Sequence, residues 1–324
     1  MMRIKTLISI IIFLVIASLA LGITITRQIE PPTQPAQKPL QHPVYLYSLG
    51  EGRVDGALNQ PMTVERHPDG NIYVVDMGHR QIKVYFPNGS WAFSFGQEGE
   101  EPGKFTYPYG LAVMDNGDLL IGDAANGNIQ HFTKRGVFVK ELVKKDLGLK
   151  PGLMTRAAGD KIWVSDLRNH QLVLIDQRGK IIKKTGKEAG FRFPQGLTTV
   201  GQKNIWVADA GNFAIKMIDT NGRLYKTWST YKASQSKNMV RDLELDRLDR
   251  LMVTDPLMGM VRVLDRRGKE LFNFGQQPGR RGLPLSFPMG IHIDDTGKIY
   301  IADRGNNLVQ VWGYPTGNIK REEQ

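Results

Sequence analysis

The sequence predicts an all-β fold, a six-bladed β-propeller, and three observations lead to this prediction. A short apolar segment ending in aspartate occurs six times at nearly regular intervals along the 324 residues. Each unit contains further short apolar segments, separated by turn residues. The strand that is missing from the last unit is present ahead of the first. Many short, evenly spaced strands are typical of propellers.

The repeated segment is an apolar strand with aspartate as its last residue. Its copies lie 43 to 48 residues apart, an interval that indicates repeated structural units. They are "IYVVD" ending at Asp76, "LLIGD" at Asp123, "IWVSD" at Asp166, "IWVAD" at Asp209, "LMVTD" at Asp255 and "IYIAD" at Asp303.

Each unit holds enough apolar segments for four strands. A second strand follows the aspartate, for example "LVLI" at residues 172–175, and in the first five units a glycine-containing turn leads to a third. A further short strand comes before the aspartate segment, and in five units a proline precedes it: Pro61, Pro108, Pro151, Pro194 and Pro288. Four strands separated by turns are one blade, so the sequence predicts six blades.

The ends of the chain predict how the ring closes. The last unit reaches Trp312 and continues as "GYPTGNIKREEQ", which lacks the final strand. "VYLYSLG" at residues 44–50 has the pattern of that strand. We therefore expect the N-terminal strand to complete the sixth blade, which leaves no free edge in the ring.

The N-terminal region predicts a membrane anchor. Arg3 and Lys5 precede residues 6–26, which carry no charge and are long enough to cross a bilayer as a helix. Positive charge ahead of the segment places the rest of the chain outside the cytoplasm. A cleaved signal peptide ending near Ala20 is the alternative, although the apolar run continues to Ile25.

The sequence divides the chain into three predicted regions. Residues 1–28 are the predicted anchor or uncleaved signal, and residues 29–43 are a linker. Five prolines lie in residues 30–43, and such a segment is stiff and extended. Residues 44–324 are the predicted propeller. The localisation we expect is single-pass and membrane-anchored, with the propeller on the periplasmic or outer side.

Composition excludes several site chemistries. The chain has no cysteine, which rules out disulfides, thiolate metal sites and a cysteine nucleophile. With 43 Lys+Arg against 32 Asp+Glu, the formal net charge is +11, and basic residues are frequent in the turns at 134–136, 177–187, 265–269 and 279–282. Basic surfaces attract polyanions. Predicted export favours anionic lipid or an envelope polymer over nucleic acid, and an ordinary solvated surface is the alternative.

The repeats resemble the NHL family. Residues 105–132, "FTYPYGLAVMDNGDLLIGDAANGNIQHF", and residues 287–312, "FPMGIHIDDTGKIYIADRGNNLVQVW", follow its pattern of proline, glycine, an apolar strand ending in aspartate, and a second strand. The resemblance extends over residues 44–312. It implies a propeller that binds protein or nucleic acid. Related six-bladed propellers include metal-dependent lactonases and an amidating lyase, so an enzyme is the alternative that the resemblance implies.

The repeated polar residues are interpreted as structural. A feature of every blade solves a problem that every blade has, and a carboxylate at a strand end can accept bonds from turn amides. This interpretation covers the six aspartates. It also covers other side chains at repeat positions: Asn126, Asn169, Asn212, Asn306, His79 and His170.

Residues that differ between blades carry the candidate chemistry. By the period of two along a strand, one inner-strand position should face the central channel. Around the ring it holds Glu65, Ala112, Thr155, Thr198, Glu244 and His292. Blades five, six and one are neighbours, so Glu244, His292 and Glu65 should lie together. Two carboxylates and an imidazole suit a divalent metal, the one cofactor considered, and a hydrated channel lining is the alternative.

Blade five departs most from the repeat. Asp242 replaces the glycine of the Pro-x-Gly turn at the start of the inner strand, and Arg241 directly precedes it. Leu257 and Met258 occupy the turn after the second strand, where four other blades have asparagine at the position of Met258. Both segments should lie at one end of the ring. Arg241, Asp242, Leu257 and Met258 are therefore the candidate partner-binding residues, and drift of a degenerate repeat is the alternative.

Three functions remain open from the sequence. The first is a membrane-tethered scaffold that docks a protein partner in the cell envelope. The second is a metal-dependent hydrolase, lactonase or lyase that acts in the channel. The third is a polyanion-binding module. The sequence contains no G-x-S-x-G, P-loop or H-E-x-x-H motif, which favours a binding function over an enzyme.

Overall fold

A computed structural model describes residues 42–52, 55–201, 203–229, 238–277 and 282–315 of the chain. Their strands form six antiparallel sheets of four strands each, which are the blades of an all-β propeller. The prediction of six blades is confirmed.

The first three blades follow one another in the chain, and each runs from its inner to its outer strand. Blade one contains β2 (Pro61–Arg66), β3 (Ile72–Asp76), β4 (Gln81–Tyr85) and β5 (Trp91–Phe95). Blade two contains β6 (Pro108–Val113), β7 (Leu119–Asp123), β8 (Asn128–Phe132) and β9 (Phe138–Val143). Blade three contains β10 (Pro151–Ala157), β11 (Lys161–Asp166), β12 (Gln171–Ile175) and β13 (Ile181–Thr185).

The last three blades complete the ring in the same order. Blade four contains β14 (Pro194–Val200), β15 (Asn204–Asp209), β16 (Ala214–Asp219) and β17 (Leu224–Ser229). Blade five contains β18 (Leu243–Leu245), β19 (Leu251–Asp255), β20 (Met260–Leu264) and β21 (Glu270–Phe274). Blade six contains β22 (Pro288–Ile293), β23 (Ile299–Asp303), β24 (Leu308–Gly313) and, as its outer strand, β1 (Val44–Leu49).

The N-terminal strand closes the ring as predicted. Strand β1 pairs antiparallel with β24, with Val44 opposite Gly313 and Leu49 opposite Val309. The last blade is thereby built from both ends of the propeller sequence. Such closure ties the first and last units together, so the ring cannot open without breaking this strand pair.

The core lies between neighbouring blades. The second strand of each blade contributes a large side chain to it, such as Tyr73, Trp163 and Tyr300, each at most 2% exposed. The hydroxyl of Tyr73 donates to the carbonyl of Lys134 at 2.7 Å, which links blade one to blade two. Burying a side chain of this size contributes about 1.5–3 kcal/mol, so the packing between blades holds the disc rigid.

The two faces of the disc differ in the connections they carry. We call the upper face the one on which the first strand of each blade begins and the second ends. The lower face carries the turns between first and second strands and between third and fourth strands. Regular helix is restricted to single 3₁₀ turns in the described residues: Met77–His79, Lys145–Leu147, Ala210–Asn212 and Arg304–Asn306.

The predicted membrane anchor and most of the linker lie outside the described residues. Within the described ranges, no helix has the length and apolar character needed to cross a bilayer. The anchor at residues 1–28 therefore stays a prediction from the sequence.

Candidate functional site

The six repeated aspartates hold the upper-face loops in place. All are at most 1% exposed, and each accepts a backbone N–H from the loop ahead of its own blade. Asp123, for example, accepts from Thr106 at 2.7 Å. The side-chain amides of the repeated asparagines donate to the same carboxylates, as Asn212 does to Asp209 at 2.7 Å. The structural interpretation of these aspartates is confirmed.

The inner strands begin with an irregularity that the sequence did not show. In five blades the strand pairing shifts directly after the first proline, as in a β-bulge. The residue that follows this proline lies outside the regular strand pairing, at the upper-face end of the inner strand. These residues are Met62, Tyr109, Gly152, Gln195 and Met289, and Arg241 holds the corresponding position in blade five.

Three of these residues meet across the channel mouth. The hydroxyl of Tyr109 donates to the side-chain oxygen of Gln195 at 2.6 Å and accepts a hydrogen bond from the guanidinium of Arg241. The guanidinium carbon of Arg241 also lies 5.4 Å from the centroid of the tyrosine ring, in a cation–π contact. Blades two and five are opposite in the ring, so this contact spans the mouth.

Below the mouth, Glu65, Glu244 and His292 lie together in the channel. The imidazole Nδ1 of His292 is 3.3 Å from the Oε2 of Glu65 and 3.5 Å from the Oε1 of Glu244. All three line a cavity of about 230 Å³. We call this set the channel trio.

Burial favours the uncharged forms of the channel trio. It raises the pKa of Glu65 to about 8, and the charge of Asp242 adds to this rise. Burial, with the charges of Glu65 and Asp242, raises the pKa of Glu244 well above its usual range. The same loss of water lowers the pKa of His292 to about 4. The trio can therefore take up a cation most readily in exchange for protons.

The arrangement of the trio differs from that of a preformed metal centre. Both carboxylates approach the same imidazole nitrogen, so this nitrogen faces the two glutamates and is not directed at an open coordination position. Among the described residues, no group of three or more His, Asp or Glu side chains has a metal-binding arrangement. A divalent ion at this place stays a prediction from the sequence.

Two acidic residues of blade five also join it to blade six. A carboxylate oxygen of Asp242 accepts from the backbone N–H of Ile291 at 3.0 Å, and Glu244 accepts from that of Ile293 at 2.8 Å. Asp242 is 8% exposed, and burial raises its pKa to about 7. Its carboxylate thus faces the neighbouring inner strand and not the solvent.

The other residues predicted for partner binding lie on the upper face. Leu257 is 51% exposed, in the turn after β19. Met258 follows it, half-buried, and its backbone N–H donates to Asp255 at 3.2 Å. Arg241 lies at the channel mouth. The structure therefore separates the four candidates into exposed Leu257, partly exposed Met258 and Arg241, and buried Asp242.

A pocket beside the mouth was not anticipated from the sequence. It has a volume of about 320 Å³. We call it the mouth pocket, and its main lining residues are Tyr107, Tyr109, Lys150, Phe193, Gln195 and Arg241. Tyr107 and Phe193 both directly precede the proline that begins an inner strand, and Lys150 has the same position in blade three. Comparison of that position between blades is the sequence signal that would have found them.

The basic turns lie mainly on the lower face, where they alternate with acidic side chains. Lys134 pairs with Asp69 at 3.6 Å, and Arg266 pairs with Asp249. Asp176 accepts from the N–H groups of its own turn at 2.9 Å. The charges of this face are therefore mixed in sign.

Comparison with known proteins identifies the repeat. The profile of the NHL repeat matches residues 285–312. Peptidyl-glycine alpha-amidating monooxygenase B of Xenopus laevis is 32% identical over 112 residues, and Protein brain tumor of Drosophila melanogaster is 28% identical over 120 residues. These segments cover 32% and 36% of this chain, but 13% and 11% of the two relatives, so the similarity concerns a small part of each relative.

A solved structure supports the fold at lower identity. A streptogramin B lyase superposes with a TM-score of 0.58 and 13% identity, over 84% of this chain and 98% of the lyase. Similarity at this level concerns the fold alone. Together with the six four-stranded sheets and the profile match, it leads to one conclusion. The chain contains an NHL repeat, matched at residues 285–312, and has the fold of a six-bladed β-propeller.

Proposed function

We propose that this protein is a binding platform that docks a protein partner on its upper face. The observation that carries the proposal is a set of large apolar side chains exposed in the loops of that face. Their exposed fractions are 48% for Phe193, 51% for Leu257, 53% for Leu283 and 38% for Phe287. Exposed apolar residues in neighbouring loops are typical of interaction sites. The lower face exposes such residues as well, Leu248 at 71% among them, but on the upper face they adjoin the mouth pocket.

The surrounding fold supports this use. The loops that carry these side chains are fixed by the buried aspartates, as Ser286 beside Phe287 is by Asp303 at 2.7 Å. Fixed anchors lose little conformational entropy on binding, which favours affinity from a few residues. Arg304 lies over the ring of Phe287, 5.9 Å from its centroid, and adds a charged group to the same surface.

The cellular setting is the second part of the proposal. The uncharged segment at residues 6–26 and the basic residues ahead of it support a single-pass anchor in a cell envelope membrane. The partner would then be another envelope protein. Protease accessibility in cells tests this part. An exported propeller is digested while the inner membrane is intact, directly or once an outer membrane has been opened, whereas a cytoplasmic propeller stays protected until the inner membrane is broken.

The experiment for docking is site-specific photocrosslinking in the native membrane. The photoreactive residue p-benzoylphenylalanine replaces Leu257 in one version of the full chain and Met258 in another. Phe86 on the lower face is the matched control, because its exposed fraction of 48% is close to that of Leu257. We expect a discrete adduct from positions 257 and 258 only. Equal adducts from all three positions would refute upper-face docking.

A metal-dependent hydrolase or lyase is the second candidate function, favoured by the contact between Glu65, Glu244 and His292. A bound ion would polarise a carbonyl or activate water. For the trio to hold an ion, His292 must release one carboxylate and all three groups must turn towards it. Metal analysis of chelator-free protein beside Glu244→Ala tests this candidate. About one equivalent that is lost in the variant would support it.

A further inference from the structure

We propose that the mouth pocket anchors the partner by taking one bulky apolar side chain together with an acidic side chain next to it. This inference rests on the proposed docking at the upper face and names the chemistry that the partner must offer. The pocket and the basic residues around it lie over blades two to five. Its lining side chains differ between blades at equivalent repeat positions.

The size and walls of the pocket suit one large apolar side chain. A volume of about 320 Å³ lies at the lower end of ligand pockets, which is enough for a phenylalanine or leucine side chain. The rings of Tyr107 and Tyr109 are stacked with centroids 6.0 Å apart and form one wall. Phe193 lines the pocket from blade four, and buried Leu167 and Ala124 contribute further apolar surface.

The walls are held in place before any partner arrives. Phe193 has a left-handed backbone with φ of 50°, and its N–H donates to the Nδ1 of His170 at 3.1 Å. Its ring meets the His170 ring edge-on at 4.6 Å between centroids. The N–H of Tyr107 donates to the carboxylate of Asp123. A non-glycine residue in this conformation is uncommon, and here it holds an exposed phenylalanine over a cavity.

The positive charge around the pocket favours an acidic group on the partner. Lys150 and Arg241 line it, and exposed Arg168 and Arg192 occupy neighbouring loops. Within the described ranges, none of these four cations forms an ion pair with a carboxylate of this chain. In the part of the chain that the structure describes, the buried Nε of Arg241 has no hydrogen-bond acceptor. Unpaired cations beside an apolar cavity complement a carboxylate next to an apolar side chain.

A protein segment fits this surface better than a nucleic acid does. Aromatic walls and cations can also hold a stacked base and its phosphate. However, the rest of the exposed apolar surface includes the aliphatic side chains Leu257 and Leu283, which do not stack on bases. Side chains of a partner protein can cover both the pocket and these leucines.

The test measures fluorescence anisotropy of labelled peptides with the full chain in detergent. The probe is a short peptide, capped at both ends, with Asp-Phe-Asp at its centre and Gly and Ser around it. Two matched peptides carry Lys-Phe-Lys or Asp-Ser-Asp at the centre, and an oligouridine is the nucleic-acid probe. We expect a Kd below about 1 mM for Asp-Phe-Asp, with each matched peptide at least about tenfold weaker.

Variants locate the binding. Phe193→Ala and Lys150→Gln should each weaken Asp-Phe-Asp binding about fivefold or more, because each removes one half of the recognition. Phe86→Ala, with the same exposed fraction of 48% on the lower face, should leave it unchanged. Unaltered unfolding temperatures show that the variants fold. Absent binding at about 1 mM, binding insensitive to both pocket variants, or tighter binding of oligouridine overturns the inference.

The outcomes also separate this inference from the docking proposal. Adducts from position 257 without peptide binding would retain upper-face docking and reject the anchoring pocket. Peptide binding at the pocket without adducts would retain the pocket and reject docking over Leu257.

Discussion

Asp242 makes the stability of the propeller depend on pH. Its carboxyl is buried, and burial raises its pKa to about 7, although the N–H groups of Ile291 and Leu243 and the charge of Arg241 oppose the rise. An unfolded aspartate has a pKa of about 3.9. The folded protein therefore holds the proton more tightly than the unfolded chain does. The associated stability is present below about pH 4 and is lost as the pH rises towards 7.

The size of this effect follows from the difference between the two pKa values. About three pKa units correspond to about 4 kcal/mol in the free energy of unfolding, at about 1.4 kcal/mol per unit. About 2.5 kcal/mol of it falls between pH 5 and pH 8, because the unfolded aspartate is already largely ionised at pH 5. Asn at this position cannot ionise. We therefore expect Asp242→Asn to gain about 2.5 kcal/mol relative to the wild type between these pH values.

The assay is urea-induced unfolding of both proteins at pH 5 and pH 8. The hydrogen bond that Asn cannot accept costs the same at both pH values, so it cancels in the comparison. Asp146→Asn, a change at an exposed residue of the upper face, controls for the loss of an aspartate as such. If the difference in unfolding free energy between Asp242→Asn and the wild type is the same at both pH values, burial does not control this carboxyl and the reasoning is refuted.

Three further changes test the ring and its mouth. Leu49→Ala, at a residue 1% exposed in the closing strand, should cost about 2–5 kcal/mol in unfolding free energy, whereas Leu46→Ala, 43% exposed in the same strand, should cost about 1 kcal/mol or less. Equal costs would contradict closure by β1. Gly196→Ala should cost about 1–3 kcal/mol by chemical denaturation, because its new Cβ would collide with Asp242 of the next blade; an unchanged midpoint would contradict this contact. Tyr109→Phe should cost about 1–3 kcal/mol by the same measurement, since buried Gln195 and the partly buried guanidinium of Arg241 both lose the hydroxyl as a partner. A neutral result would contradict the contact across the mouth.

Much of the fold could be predicted because the same strand pattern occurs in six copies. The aspartates, the turns and the four-strand pattern recur in register, so an error in one blade is corrected by the others. Closure by the N-terminal strand could be predicted for a similar reason, because the last unit lacks a strand of a known pattern. The contact of Glu65 and Glu244 with His292 could also be predicted, because the three residues occupy equivalent positions in neighbouring blades.

The mouth and its pocket could not be predicted in the same way. The prediction of which inner-strand side chains face the channel assumes that side chains alternate without interruption from the glycine position onwards. The shift after the first proline takes Tyr109 out of that alternation. Its partner Arg241 is 132 residues away in the opposite blade, and no local pattern connects the two. The burial of Asp242 was missed because it depends on an N–H of the next blade, Ile291.

The irregularity at the mouth also explains why recognition can vary on a repeated scaffold. A side chain within the ladder packs against its neighbours, so its size and polarity are restricted by the blade. The residue after the first proline is released from that pairing by the shift in register. It can be methionine in one blade, tyrosine in another and glutamine in a third at little cost to the sheet. The repeat thus fixes the disc, and in the docking that we propose the residues that break the repeat at the mouth would select the partner.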